Sequence, residues 1–204
     1  MAKPLLQPLS QLTQPNLSNQ PQWNLQEVSG RLVEISEPQP VAALSLVFLL
    51  VCEAQASGEC AAWVGMLDSV FYPPDAERNG IDLDNFPVLR MPDCRNAGRS
   101  AEILIRSGAF RLVILDLGTN HALPAARLSQ LNALVRKHDA CVLFVTQKKI
   151  DEPSLGSLVS LRAHTTRKRV REDEFLCKIH ILRDKRRSTH WYWSTCFTGV
   201  AGYY

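Results

Sequence analysis

Apolar residues between Gly30 and Thr146 recur in two alternating patterns, which predict a succession of strands and helices. Runs such as "RLVILDLG" are apolar at nearly every position, which is typical of strands buried on both faces. Runs such as "PAARLSQLNALVRKH" place leucines three and four residues apart, on one face of a helix. This alternation predicts a parallel sheet flanked by helices. The predicted elements are, in order, strand "RLVEIS" (31–36), helix 41–56, strand "CAAWVGM" (60–66), a short helix in "PPDAERNG" (73–80), strand "FPVLRM" (86–91), helix 95–107, strand "RLVILDLG" (111–118), helix 124–138 and strand "ACVLFVT" (140–146).

Beyond Thr146 the apolar residues alternate over shorter distances and no helical period remains. This texture predicts antiparallel strands added at one edge of the sheet, within "SLGSLVSLRA", "TTRKRV", "FLCKIHILR" and "THWYWSTCF". The segment "REDE" (171–174) is the expected hairpin turn. Ile179 and Ile181 alternate with their neighbours in a way that suits an edge strand with one covered face. The predicted class is α/β, with a mostly parallel sheet, flanking helices and an antiparallel C-terminal edge.

The chain has 204 residues, a length that favours one core domain. Residues 1–26 contain six Gln and four Pro and keep no period, so we expect a flexible N-terminal arm. The core domain is expected over 27–198, and the uncharged end of the chain, 199–204, is expected to be a C-terminal tail.

Composition narrows the cellular setting. The longest apolar run, 41–52, is shorter than the roughly 20 residues that a membrane-spanning helix needs. The N-terminus lacks the basic and apolar regions of a signal peptide. The six cysteines form no CxxC pair, and the five histidines show no metal-ligand spacing. We therefore expect a cytoplasmic protein that binds neither a membrane nor a metal.

The loop between the first strand and the first long helix lies where a phosphate-binding loop would lie. Such a loop reads G-x-x-x-x-G-K-[ST], because glycine amides, a lysine and a hydroxyl together hold phosphates and magnesium. Aligned on this topology, Glu37 takes the first glycine position and Ala42 the second, while Ala43 and Leu44 replace the lysine and the hydroxyl. Glu37 would instead place its own negative charge at the mouth of the helix. We therefore expect no nucleotide cofactor.

Two polar residues end neighbouring strands where an ATPase would use them. Asp116 closes "RLVILDLG" at the position of a magnesium-holding carboxylate, and Gln147 follows the next strand, where a phosphate sensor could lie. Without a phosphate loop, both are interpreted as vestigial. No other catalytic constellation is apparent.

The segments "GRLVEIS" (30–36), "AQASGECAAWV" (54–64), "NGIDLDNFPVLRMPD" (79–93), "LIRSGAFRLVILDLG" (104–118) and "SLGSLVSLRA" (154–163) resemble the RecA core. More closely, their ordered series resembles the ImuA family, RecA-like proteins of bacterial damage-inducible mutagenesis cassettes. The resemblance covers roughly residues 28–190, and "FYPPDAERNGIDLDNF" and "LRDKRR" add to it. It departs from RecA at the phosphate loop, at the catalytic glutamate, for which "VGMLDSVF" offers only Asp68, and at the long DNA-binding loop, where only "KKIDEPS" remains.

The resemblance implies a RecA-like core and a non-catalytic accessory role in SOS-induced translesion synthesis. The partners it implies are RecA itself, an ImuB-like homologue of Y-family polymerases and an error-prone C-family polymerase complex. An inhibitor of the division GTPase similar to SulA is an alternative, as are a weak ATPase using Asp116 and a DNA-binding regulator of RecA.

Positive charge is concentrated late in the chain. Residues 161–187 carry ten Lys or Arg against four Asp or Glu, a net of +6. If the predicted hairpin forms, its basic ends are expected to lie near one another. In RecA, basic residues in a motif resembling "LRDK" reach a neighbouring subunit, which makes a protein interface one hypothesis; DNA-backbone binding and an edge guarded by charge are the others. The residues assigned to a partner or DNA are Arg167, Lys168, Arg169, Arg183, Lys185, Arg186 and Arg187.

The aromatic segment "THWYWSTCF" places Trp191 and Trp193 on one strand face and Tyr192 on the other. A packed strand, an interface anchor and a base-stacking platform are all compatible with this pattern.

Overall fold

A computed structural model describes residues 21–39, 41–67, 69, 71–119, 122–187 and 190–198. It contains eight strands and five helices within these ranges. The strands are β1 Arg31–Ser36, β2 Cys60–Met66, β3 Val88–Met91, β4 Phe110–Gly118, β5 Cys141–Thr146, β6 Leu161–Arg169, β7 Glu174–Asp184 and β8 Tyr192–Thr198. The helices are α1 Leu25–Val28, α2 Val41–Ala56, α3 Pro73–Arg78, α4 Cys94–Arg106 and α5 Ala125–His138.

All eight strands form one sheet in the order β3-β2-β4-β5-β1-β6-β7-β8. Neighbours from β3 to β6 pair in parallel, whereas β6–β7 and β7–β8 pair antiparallel. This confirms the predicted α/β class and its antiparallel C-terminal edge. All the strands and helices predicted between residues 31 and 146 are present, with shifts of one to three residues at some ends.

Helix α2 covers one face of the sheet and α4 and α5 cover the other. Helix α2 is apolar on nearly all sides, and Leu46, Leu50 and Val51 are fully buried. On the opposite face, Leu131 and Val135 of α5 pack with Ile105 of α4 over the parallel strands. Two apolar layers therefore hold the sheet, and the strand ends next to the N-terminus of α2 are fixed in place.

Two expectations about the C-terminal strands are wrong. Strand β6 begins only at Leu161 and lies parallel to β1, so most of "SLGSLVSLRA" is a connection rather than a strand. Strand β7, which contains Ile179 and Ile181, lies between β6 and β8, and β8 forms the edge. The alternation of β7 indicates one covered face, which a strand inside the sheet also has when no helix lies over its other face. The predicted turn is present, because the amides of Val170 and Arg171 bond to the carbonyl of Glu174.

The ordered fold begins earlier than the sequence predicts. Trp23 is 2% exposed, and its indole Nε1 donates to the carbonyl of Leu46 at 3.0 Å. Asn24 caps α1 by accepting from the amide of Glu27 at 2.8 Å. Residues 21–26, assigned to the arm, therefore belong to the core. Residues 1–20 and 199–204 lie outside the described residues.

Candidate functional site

The N-terminus of α2 is capped by a carboxylate from its own chain. Glu37 directly follows β1, and its Oε2 accepts from the amides of Ala42 at 2.9 Å and Ala43 at 3.1 Å. The Thr165 hydroxyl of β6 donates to the same oxygen at 3.1 Å. These are donors of the kind that hold an anion at a helix N-terminus. The position predicted for Glu37, at the mouth of the helix, is the one observed.

Partial burial governs the charge of Glu37. Burial raises the pKa of this carboxyl above its ordinary 4.5, and the donors Ala43, Thr165 and Ala42, together with nearby Arg167, only partly oppose that rise. The ionised form is thus incompletely compensated by its surroundings. A second anion placed against the same amides would meet an uncancelled negative charge.

An open cavity of about 660 Å³ lies beside this helix end. Arg167 crosses its β6 wall, with its guanidinium carbon 3.6 Å from the ring centroid of Phe175. The cavity is lined by Glu37, Pro38, Gln39, Val41, His164, Thr165, Thr166, Arg167, Arg169 and Phe175.

The cavity is large enough for a nucleotide, but its donors do not fit a triphosphate. The amides of Ala42 and Ala43 are bonded to Glu37, and residues 37–44 contain no lysine, arginine or glycine. Ala43 is fully buried, and Leu44 supplies no hydroxyl for magnesium. The phosphate-binding chemistry of this loop has been replaced by an internal cap.

Asp116 lies on the same face of the sheet as α2, but it is used within the fold. It is 2% exposed and accepts from the Ser69 hydroxyl, which in turn accepts from the Trp63 indole at 3.2 Å. β5 separates β4 from β1, so Asp116 lies about 10 Å from the plane of β1 in the sheet. Gln147 follows β5 and donates its amide to the Gly118 carbonyl at 2.8 Å. These contacts account structurally for both polar strand ends.

The two basic segments are not neighbours, contrary to expectation. In the β6–β7 ladder Arg169 pairs with Phe175 near the turn, whereas Arg162 pairs with Arg183 at the other end. Seven residue steps of about 3.3 Å along β6 separate these ends by roughly 23 Å. The hairpin forms as predicted, but its geometry sets residues 167–169 and 183–187 at opposite ends.

The second basic segment is bonded to the rest of the fold. Arg183 donates to the Ser154 hydroxyl at 2.9 Å and the Gly156 carbonyl at 3.1 Å, and Lys185 donates to the Ser157 carbonyl. Arg186 donates to the carbonyls of Glu27 and Ser29, and Arg187 pairs with Glu27 at 2.5 Å and Asp184 at 3.3 Å. These side chains tie the end of β7 to α1 and to the 147–160 connection, which is a structural use that the charge pattern did not reveal.

Residues 167–169 have more varied surroundings. Arg167 stacks on Phe175, as described above, and Arg169 donates to the carbonyls of Arg171 and Glu172 in the turn. Lys168 is exposed on the opposite face of β6. The three consecutive side chains therefore do not form one cationic surface.

Sequence reasoning missed a buried ion pair. Glu34 is 0% exposed in β1 and accepts from the Lys148 ammonium at 2.9 Å. The Ser154 hydroxyl and the Leu155 amide also donate to this carboxylate, at 2.7 and 3.0 Å. The signal was present, since a charged residue inside a strand buried on both faces needs a partner. Lys148 offered no such signal, because polar residues surround it in the sequence.

Asp184 organises a second buried cluster that the sequence did not predict. It accepts from Arg31, from the amide of Arg186 at 2.9 Å and from the Trp191 indole at 3.1 Å. Arg31 is 2% exposed and also pairs with Glu27 at 2.9 Å. The cluster joins α1, β1, β7 and the start of β8.

Searches for other kinds of site gave negative results within the described residues. No helix there is both long and apolar enough to cross a membrane. No group of three or more His, Cys, Asp or Glu in these ranges is placed to hold a metal ion.

Comparison with known proteins gives distant relatives. No protein-family model matches the chain. RecA of Heliobacterium modesticaldum is 27% identical over 137 residues, covering 58% of this chain and 39% of that protein. RecA of Cytophaga hutchinsonii is 28% identical over 137 residues, with 58% and 38% covered, and RecA of Nitratiruptor sp. is 28% identical over 149 residues, with 62% and 42% covered.

The chain thus spans about two fifths of the length of the RecA proteins it matches. The shared region carries the mixed sheet and flanking helices described above, which are consistent with a RecA-like core. This distant similarity supports the chain as a member of the RecA-like superfamily.

Proposed function

We propose that this protein is a non-catalytic RecA-like adaptor in SOS-induced translesion DNA synthesis. It would act in the cytoplasm by binding RecA and an ImuB-like polymerase homologue, and through them an error-prone C-family polymerase complex. Support comes from the distant similarity to RecA and from the ordered series of segments that resembles the ImuA family.

The observation that carries the proposal is the internal cap on α2. The Glu37 carboxylate bonds to the amides of Ala42 and Ala43, where a RecA-like ATPase would hold phosphates. A scaffold in this state keeps its shape without nucleotide, because the helix amides already have their acceptor. Its surfaces are then available for protein recognition that does not require a hydrolysis cycle.

The proposed mechanism is mimicry of a RecA protomer. One surface would meet RecA at the end of a filament, while other surfaces would hold the polymerase partners. Because no step in this mechanism consumes ATP, binding of the polymerase homologue should not depend on nucleotide.

Co-purification of the full chain tests this proposal. The immobilised protein would be challenged separately with purified RecA, the ImuB-like homologue and the division GTPase, each with and without ATP and single-stranded DNA. We expect retention of RecA and of the ImuB-like homologue, the latter unchanged when ATP is omitted. Failure to retain either protein under all conditions would contradict the adaptor role, and retention of the division GTPase alone would replace it with a cell-division role.

A further inference from the structure

The two edges of the sheet differ in how well they are protected against pairing. Strand β3 has only four residues and includes Arg90. Strand β8 has seven residues, without a charged residue or a proline, and its register against β7 is unbroken. Short edges, charges, prolines and bulges are the usual devices that prevent an edge from adding another strand. Strand β8 has none of these devices, and no described strand pairs with its outer side.

The outward-facing amides of β8 follow from the ladder. Ile181 donates its amide to the Trp191 carbonyl at 2.9 Å, so this pair is a hydrogen-bonded one. Hydrogen-bonded and non-bonded pairs alternate along an antiparallel ladder. The amides of Trp193, Thr195 and Phe197 therefore point to β7. The amides that point outward belong to Tyr192, Ser194, Cys196 and Thr198.

The side chains of this edge suit a ninth strand. Tyr192 is 70% exposed and stacks on its cross-strand neighbour His180, with ring centroids 4.3 Å apart and planes 13° apart. Because the stack runs from strand to strand, the free face of the Tyr192 ring points beyond β8. On the α2 face, Trp193 and Phe197 are half-buried and leave apolar surface at the edge.

The charge around the edge selects the partner. Lys178 of β7 is exposed and lies in register with Ser194, which puts an ammonium one strand in from the edge. Residues 161–198 keep the net charge of +6, because no Lys, Arg, Asp or Glu follows Arg187. Two copies joined edge to edge would bring these like charges together. A segment with carboxylates would instead gain from them.

We propose that β8 is a docking edge for an extended acidic segment of a partner protein, which adds to the sheet as a ninth strand. Main-chain hydrogen bonds to the outward amides would supply affinity, as in other cases of strand addition. Carboxylates on the partner would reach toward Lys178, and an apolar or aromatic side chain would pack on Tyr192. The inference rests on the proposed adaptor function, for which it names the kind of partner segment.

The test removes one outward amide and nothing else. Ser194→Pro deletes an N–H that points away from β7, a position at which edge strands tolerate proline. Ser194→Ala is the matched control, because it keeps the amide. The probe is a fluorescent eleven-residue peptide of alternating glutamate and valine, titrated against the full chain by anisotropy. A lysine–valine peptide, an N-methylated glutamate–valine peptide and a single-stranded oligothymidylate serve as comparison probes.

We expect the acidic peptide to bind the wild type and Ser194→Ala equally, and Ser194→Pro at least about tenfold more weakly. N-methylation should weaken the peptide similarly on the unchanged protein, which covers the case in which Ser194→Pro does not fold. Lys178→Glu should reverse the preference between the acidic and the basic peptide. Equal binding of the methylated peptide, or its displacement by oligothymidylate, would overturn the inference.

The same variants separate this inference from the adaptor role. If Ser194→Pro is folded and still retains RecA and the ImuB-like homologue fully, the edge is not their docking site while the adaptor function stands. If the wild type retains neither protein, the adaptor function fails whatever the peptide result.

Discussion

Lys148→Met is expected to lower the free energy of unfolding by about 3–5 kcal/mol. The Lys148 ammonium and the Glu34 carboxylate have side chains only 3% and 0% exposed, and their charged atoms lie 2.9 Å apart. The ammonium also donates to the Pro153 carbonyl at 3.0 Å. Removing it leaves a buried carboxylate that receives only neutral donors, and a buried charge without a counter-charge is costly. Urea denaturation at pH 7 measures the loss.

The neighbouring residue provides the control. Lys149 is exposed, so Lys149→Met should change stability by no more than about 0.5 kcal/mol. The double variant Glu34→Gln with Lys148→Met should recover part of the loss, because no unpaired charge then remains. A loss below about 1 kcal/mol for Lys148→Met would show that the pair is not buried as described.

Asp184→Asn is expected to destabilise the fold by about 2–3 kcal/mol at pH 7. The amide keeps the shape of the side chain but removes the charge that Arg31 and Arg187 face. Arg31, with its side chain 1% exposed, would keep Glu27 as its remaining charged partner. The exposed turn residue Asp173 supplies a matched control, since Asp173→Asn removes a carboxylate from solvent and should have little effect.

The effect of Asp184→Asn should depend on pH in a defined direction. Burial raises the pKa of Asp184, but hydrogen bonds from Arg31, the Arg186 amide and Trp191 outweigh it and hold the pKa below the ordinary 3.8. A depressed pKa gives stability that is present above the unfolded value and is lost as the pH falls through the folded value. The stability gap between wild type and variant should therefore narrow below about pH 4. An equal gap at pH 7 and pH 3 would be inconsistent with an ionised Asp184.

The parallel half of the fold could be predicted from the sequence because its signals are local. Runs such as 112–117 are apolar throughout since both of their faces are covered, and helix ends are marked at positions such as Asp93, which caps α4. Glu37 was also predictable, because a carboxylate directly before a helix N-terminus has an obvious acceptor role.

The C-terminal half depended on pairings between distant residues. Nothing in "SLGSLVSLRA" shows that its first residues cross over the sheet and that Leu161 then pairs beside Val33. Counting charge located a basic segment but could not show that Arg186 and Arg187 reach back to α1. Such contacts join residues about 160 positions apart, and one sequence carries no local pattern for them.

A calorimetric titration of the full chain with Mg-ATP tests the central claim, that a carboxylate has taken the place of a phosphate at α2, most directly. RecA measured under the same conditions is the positive control. The account predicts no saturable binding at nucleotide concentrations up to about 1 mM, a concentration at which sites holding a triphosphate are normally filled. Saturable one-to-one binding below that concentration would contradict it.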